Sequence, residues 1–138
     1  MMVLVDTPIW WLALRRRASD LSAQQEEVTR ALSELIREGR GQLIGPVRQE
    51  ILSGVREEGQ FHRLKEHLRG FENVKLETGD YEEAAHMNHQ CRGHGVAGSA
   101  TDFLTCAVAH QRGWQIFTSD RDFEHYAKVL PIKVYTPR

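Results

Sequence analysis

Short apolar or β-branched runs alternate along this chain with longer segments of helical hydrophobic spacing, and no other feature constrains the fold as much. Met2–Val5 reads as a buried strand, with a short helix over Pro8–Leu14 behind it. Leu21–Glu38 places Leu21, Val28, Ala31, Leu32, Leu35 and Ile36 near one helical stripe, and Gly39 stops it. Gln42–Ile44 is a second strand. Gly45-Pro46 then turns into a helix carrying Val47, Ile51 and Val55, and Gln60–Leu68 fits a further helix. Asn73–Leu76 is strand-like, Tyr81–Arg92 helical, and Gly93, Gly95 and Gly98 mark a loop. Ser99–Gln111 is a strongly apolar helix ended by Gly113. Gln115–Phe117 is a strand, Phe123–Lys128 a short helix, and Ile132–Tyr135 a last strand. Crossovers this long predict a mainly parallel central sheet of about five strands with helices on both faces, a three-layer α/β/α architecture.

The length of 138 residues suits a single domain over residues 1–138. At 41% hydrophobic and 27% charged residues, the composition excludes collagen-like and disordered classes. Two cysteines, Cys91 and Cys106, are too few for a disulfide framework and suggest a reducing compartment. The opening apolar run meets Asp6 at once, and Ile9–Leu14 stops at Arg15-Arg16-Arg17, far short of the roughly 20 residues that span a bilayer. The expectation is a cytoplasmic protein without a membrane partner.

Ligands of parallel sheets bind outside the carboxyl ends of the strands, so the residues there carry most weight. Asp6 directly follows the first strand, Asp120 and Asp122 follow the Gln115 strand, Glu50 lies in the helix after the second strand, and Asp102 begins the Ser99 helix. Each acid has a structural explanation. Asp6 before Thr7-Pro8 suits an N-cap, Asp102 in Ser99-Ala-Thr-Asp complements a helix dipole, Asp120 can cap the last helix, and Glu50 can be solvated. Together, however, carboxylates gathered at one sheet edge repel one another unless a divalent cation neutralises them, and oxygen-only ligands favour Mg²⁺ or Mn²⁺. Such an ion polarises phosphoryl oxygens and activates water, which points to hydrolysis of phosphate esters. The net charge of -1 also hides a segregation: with four acids set aside, 18 basic residues face 15 acids. That excess suits a phosphate-bearing partner.

V-D-T-P-I-W at the start, R-Q-E-I-L in mid-chain, S-A-T-D-F-L-T-C-A-V-A-H, and I-F-T-S-D-R-D-F together resemble the landmarks of PIN-domain ribonucleases. Length and motif order resemble the VapC-type toxins of bacterial toxin-antitoxin pairs, over nearly the whole chain. The resemblance implies a PIN-like fold and a metal-dependent endoribonuclease with Mg²⁺ or Mn²⁺ as cofactor. It also implies an RNA substrate, a cognate VapB-like antitoxin and a homodimer. By the same resemblance Asp6, Glu50, Asp102 and Asp120 form the acidic metal cluster; in the last motif either Asp120 or Asp122 can contribute, with Asp120 favoured as the ligand and Asp122 as an auxiliary contact. Thr118, Ser119 and Thr7 match hydroxyl-bearing positions near the scissile phosphate. Arg48 and Arg121 neighbour the proposed ligands and suit pairing with carboxylates or phosphates.

Other features carry less. His86, His89, Cys91 and His94 crowd one segment, as a soft-metal site would, but Gly93 and Gly95 break the helix and no second cluster completes a zinc spacing. Rim or surface histidines are the simpler expectation. Arg15-Arg16-Arg17 reads as a solvated helix end or an RNA contact. Of Trp10 and Trp11, one is expected in the core and the other at an interface. Three alternatives remain to be weighed. A phospho-acceptor domain needs an acidic pair after the first strand and an Asp after a middle strand, and neither is present. A phosphatase of the haloacid-dehalogenase type needs a second acid near Asp6. A catalytically silent PIN relative that binds RNA or a partner would keep the fold without the cleavage.

Overall fold

The computed structural model describes residues 1–15 and 20–138; Arg16 and Arg17 of the basic triplet lie outside the described residues, as does the side chain of Arg15. The elements follow one another as β1 (Val3–Val5), α1 (Thr7–Arg15), α2 (Ala23–Arg37), β2 (Gly41–Gln42), α3 (Gly45–Ser53) and α4 (Glu58–Leu68). The chain continues through α5 (Thr78–Gly93), α6 (Ala100–Arg112), β3 (Gln115–Phe117) and α7 (Asp122–Ala127). The sheet is parallel in the order β2-β1-β3, with Val3 opposite Gly41 and Gln115, and Val5 opposite Phe117. Successive strand residues point to opposite faces, and Val3, Leu4 and Val5 are all fully buried. Helices therefore cover both faces, as the sequence predicts.

The expected five strands are a correction: among the described residues three form ladders. The segments at Asn73 and Val134 each contribute a single parallel bridge, to Leu43 and Ile116 respectively. Val74 N–H donates to the Leu43 carbonyl at 2.8 Å and Tyr135 N–H to the Ile116 carbonyl at 2.7 Å, so both segments lie where edge strands were expected. Their pairing stays local. Pro131 and Pro137 bracket the C-terminal segment and supply no N–H to a ladder.

Local capping explains the helix boundaries. Ser22 caps α2 in a reciprocal box with Gln25, and Gly39 leaves it with a φ of 69°. Glu57 accepts from the Gly59 and Gln60 N–H groups, starting α4 two residues before the expected Gln60. Glu77 and Asp80 form a capping box that starts α5 at Thr78 rather than Tyr81. Ser99 accepts from the Asp102 N–H at 3.0 Å, and Gly113 at φ 70° ends α6.

Trp10 lies in the core, its indole N–H donating to the Val5 carbonyl at 3.1 Å and its ring packed edge-on against Phe71. Trp11 is half-buried and lies over Gly54, where an added Cβ would come within 2.0 Å of the indole. Among the described residues the most extensive helix–helix packing is that of α5 against α6, tied at one end by Asp80. This buried carboxylate receives both Arg112 Nη atoms, at 2.8 and 3.0 Å, and Arg112 also reaches the Val108 and Lys75 carbonyls. Arg112 → Ala would strand Asp80 in a water-poor site. The expected loss is about 2–3 kcal/mol in urea unfolding at neutral pH. Because Arg112 holds the Asp80 pKa below its ordinary value, the pair's contribution fades as pH falls through the acid range. A loss under about 0.5 kcal/mol would remove this pair as a tie between the helices.

Candidate metal centre and its hydroxyl partners

The site forms where β1 and β3 end side by side. Asp6 N–H donates to the Phe117 carbonyl at 2.9 Å, carrying the ladder one residue past the strand, and the Asp6 carbonyl then accepts from the first α1 amides. The Asp6 side chain is thereby buried at the sheet edge. It accepts from the Thr118 hydroxyl at 2.8 Å, and Thr118 Oγ1 in turn accepts from the Asp120 N–H at 3.0 Å. Asp120 Oδ1 accepts from the Asp122 N–H at 2.9 Å, folding Ser119–Asp122 into a tight turn before α7. Asp102 enters from the first turn of α6, placed there by the Ser99 cap.

Carboxylate oxygens of Asp102, Asp120 and Asp122 lie within 4.8 Å of one another, the one group of three metal-ligating side chains among the described residues. Asp122, expected as an auxiliary, thus stands in the same group as Asp120. Asp6 and Glu50 lie outside that 4.8 Å group. Asp6 has its pKa raised to about 6, first by burial and further by Asp102 and Asp120. Asp102 is also pushed up, by burial and then by Asp120 and Glu50, against the opposing hydrogen bonds from Tyr126 and Ser99. Glu50 is exposed on α3 and its Oε2 accepts from the Thr7 hydroxyl at 2.8 Å. Among the described residues no ion pair reaches any of these five acids. Such a set of oxygen donors, short of positive charge, fits a hard divalent ion better than a soft one.

The remaining predicted residues fall in different places. The hydroxyl protons of Thr118 and Thr7 go to Asp6 and Glu50, so both threonines orient carboxylates instead of facing outward as free donors. Ser119 and Arg121 are exposed and, with Thr118 and Asp120, line a groove of about 370 Å³. Arg48 is a correction. Its guanidinium donates to Asn73 Oδ1 and to the Leu68 and Phe71 carbonyls, closing the end of α4 rather than meeting a carboxylate. His86, His89 and His94 are exposed while Cys91 is buried, and the four form no ligand group. Cys106 is also a free, buried thiol, pushed up by burial and the nearby acids.

One site residue escaped the sequence reading. Tyr126 on α7 is fully buried and its hydroxyl donates to Asp102 Oδ2 at 2.7 Å. Burial and Asp102 push its pKa up, so it remains a donor at any physiological pH. Four residues after Asp122 it shares that residue's side of the helix, but a tyrosine among Phe123 and Leu130 reads as core.

The PIN-domain family profile matches residues 3–129. Three solved structures resemble this fold. FitAcB from Neisseria gonorrhoeae has TM-score 0.76 and 21% identity, covering 99% of this chain and 98% of its own. VapBC2 from Rickettsia felis bound to a promoter DNA fragment has TM-score 0.73 and 13% identity, covering 98% of each chain. A toxin-antitoxin complex from Klebsiella pneumoniae has TM-score 0.69 and 18% identity, covering 99% and 98%. A comparison with curated protein sequences finds no match.

The raised Asp6 pKa has a consequence for stability. Between the ordinary value of 3.8 and about 6 the folded protein holds a proton that the unfolded chain releases. Stability therefore falls as pH rises through that window and stays lower above it. Asp6 → Asn removes the titration and keeps an acceptor for Thr118. The variant is expected to gain about 2 kcal/mol over the parent at pH 7 and nearly none at pH 4. Urea unfolding across that range checks it, and a gain independent of pH would contradict the assignment. With its fold, its strand-end acids and a profile match over most of its length, the chain belongs to the PIN-domain family.

Proposed function

We propose that this protein is a VapC-type toxin of a type II toxin-antitoxin pair, an endoribonuclease that hydrolyses RNA phosphodiester bonds with Mg²⁺ or Mn²⁺. The observation that carries the reading is the gathering of Asp102, Asp120 and Asp122 within 4.8 Å, with no cationic partner among the described residues. Asp6 adjoins Asp102 and Asp120 from the end of β1, and Glu50 adjoins Asp102 from α3. These residues would hold the ion. When bound, it supplies Lewis acidity toward a phosphoryl oxygen and lowers the pKa of a coordinated water.

The chain's own groups do the rest. Asp102 or Glu50 accepts the proton of the attacking water; Glu50 is exposed and already held at Oε2 by Thr7, so its other oxygen is open to solvent. Arg121 and Ser119, exposed beside Asp120, meet the substrate phosphate as a cation and a hydroxyl donor. Asp6, which retains a proton up to about pH 6 without metal, ties activity to ionisation of the cluster.

Partners follow from the same reading. Of the similar structures, the one from Klebsiella pneumoniae is a toxin-antitoxin complex and the one from Rickettsia felis, VapBC2, is bound to a promoter DNA fragment. The toxin-antitoxin complex supports a VapB-like antitoxin as partner here; a homodimer as the toxin unit and the cytoplasm as its compartment belong to the same proposal. Among the described residues no helix is long and apolar enough to cross a membrane.

Purified protein incubated with assorted RNAs should cleave in Mn²⁺ or Mg²⁺ and stop in EDTA. Asp102 → Asn and Asp6 → Asn should lose about 100-fold or more in rate while keeping the parent's circular dichroism. Undiminished cleavage in EDTA or by these variants would refute the proposal.

A further inference from the structure

We infer that Tyr126 is a positioning residue of the acidic cluster: its hydroxyl, fixed by the packing of its ring, orients the Asp102 carboxylate for cation binding. The inference rests on the metal-site reading above and concerns a residue outside the acid set. A buried phenol needs an acceptor, and a backbone carbonyl ordinarily serves. Here the acceptor is Asp102 Oδ2, at 2.7 Å, on a carboxylate that has one oxygen within 4.8 Å of an oxygen each of Asp120 and Asp122.

The donor has little freedom. The Tyr126 ring packs edge-on to Phe123 with centroids 5.1 Å apart and tilted on Phe103 at 5.2 Å. These three aromatics are fully buried or nearly so, and together they bind α7 to α6. A tyrosine has only two side-chain torsions, so a ring held this way fixes where the O–H lies. An aspartate on a helix's first turn otherwise rotates freely about its carboxyl bond.

A second, independent feature shows that room is kept for this hydroxyl. Gly98, two residues before α6, faces it so closely that a Cβ there would stand 2.5 Å from Tyr126 Oη and 2.9 Å from Phe103 Cζ. Gly98 needs no left-handed backbone, as its φ is not positive. What it supplies is space. The sequence marks Gly98 only as a loop residue; the structure gives it a steric reason.

Hydrogen bonds to the carboxylates of a metal site set their orientation, and their loss typically weakens metal binding about 10–100-fold. The test is Mn²⁺ titration of the full chain followed by electron paramagnetic resonance of the free ion. Tyr126 → Phe keeps the ring and removes the donor. Its Kd for Mn²⁺ is expected to rise about tenfold or more, while RNA cleavage recovers toward the parent's at saturating Mn²⁺. Gly98 → Ala, which displaces the hydroxyl without deleting it, should shift the Kd in the same direction. Leu35 → Ala, a core change on α2, should lower stability and leave the Mn²⁺ Kd alone. A Tyr126 → Phe Kd within about twofold of the parent, with Asp102 → Asn still weakening binding, would overturn the positioning role and leave the metal site standing. A parent that does not retain Mn²⁺, or an Asp102 → Asn variant that binds it as well, would overturn both.

Discussion

The parallel pairing of β1 with β3 is the constraint on which the site depends. Val5 opposite Phe117 brings the next residues of each strand together, so Asp6 and Thr118 meet although 112 positions separate them. The pairing is enforced from both sides of the sheet, because Val3, Leu4, Val5 and Ile116 have no exposed surface. A slip of one residue would turn each apolar side chain to the opposite layer and carry the Asp6 side chain with it. The apolar core therefore sets the position of a polar site.

That position is electrostatically costly. Burial raises Asp6, and Asp102 and Asp120 raise it again; Asp102 feels Asp120 and Glu50 in turn. Two such charges 4 Å apart repel by about 4 kcal/mol at an intermediate dielectric, before any relaxation. Elsewhere the chain pairs its acids when it buries them. Asp80 has Arg112 across it, and its pKa goes down where that of Asp6 goes up. The contrast within one protein separates a carboxylate that holds the fold together from carboxylates that the fold must hold in place.

How much of this was legible in the sequence depends on how local the cause was. β1 and β3 are short continuous apolar runs because both faces are covered, and α6 carries its own start and stop in Ser99 and Gly113. The outer segments have the pattern of strands without forming them: Asn73–Leu76 alternates half-buried Val74 and Leu76 with exposed Lys75, yet pairing there ends after one bridge. Acidic caps hid two helix starts, since Glu57 and Glu77 look like ordinary surface charge. The acids at the strand ends could be picked out, because topology brings strand ends together. Arg48 could not be placed from its neighbour Glu50. Two residues apart on a helix, their side chains diverge, and the guanidinium was taken by carbonyls from another helix's end. Tyr126 gave no signal at all, because its aromatic ring accounts for its burial and nothing in the sequence reports where the hydroxyl lands.

The partners of the acids share one property that explains how a bare cluster can be ordered without being cancelled. Thr7 donates to Glu50, Thr118 to Asp6, Tyr126 to Asp102 and the Asp122 amide to Asp120. Every one of these donors is neutral. A lysine or arginine in their place would restrain the same oxygens, but it would also neutralise them and compete with an incoming cation for the same lone pairs. A neutral O–H or N–H engages one oxygen, limits the rotation of the carboxylate, and leaves its charge and remaining lone pairs available. Repulsion then acts on acids already fixed in direction, so it has fewer ways to relax by turning side chains outward. Arg48, two residues from Glu50, points away into the end of α4, and among the described residues Arg121, exposed beside Asp120, forms no ion pair with it. Neutral hydrogen bonds thus orient the acids and leave their charge uncancelled, an arrangement that suits the divalent-cation site proposed above.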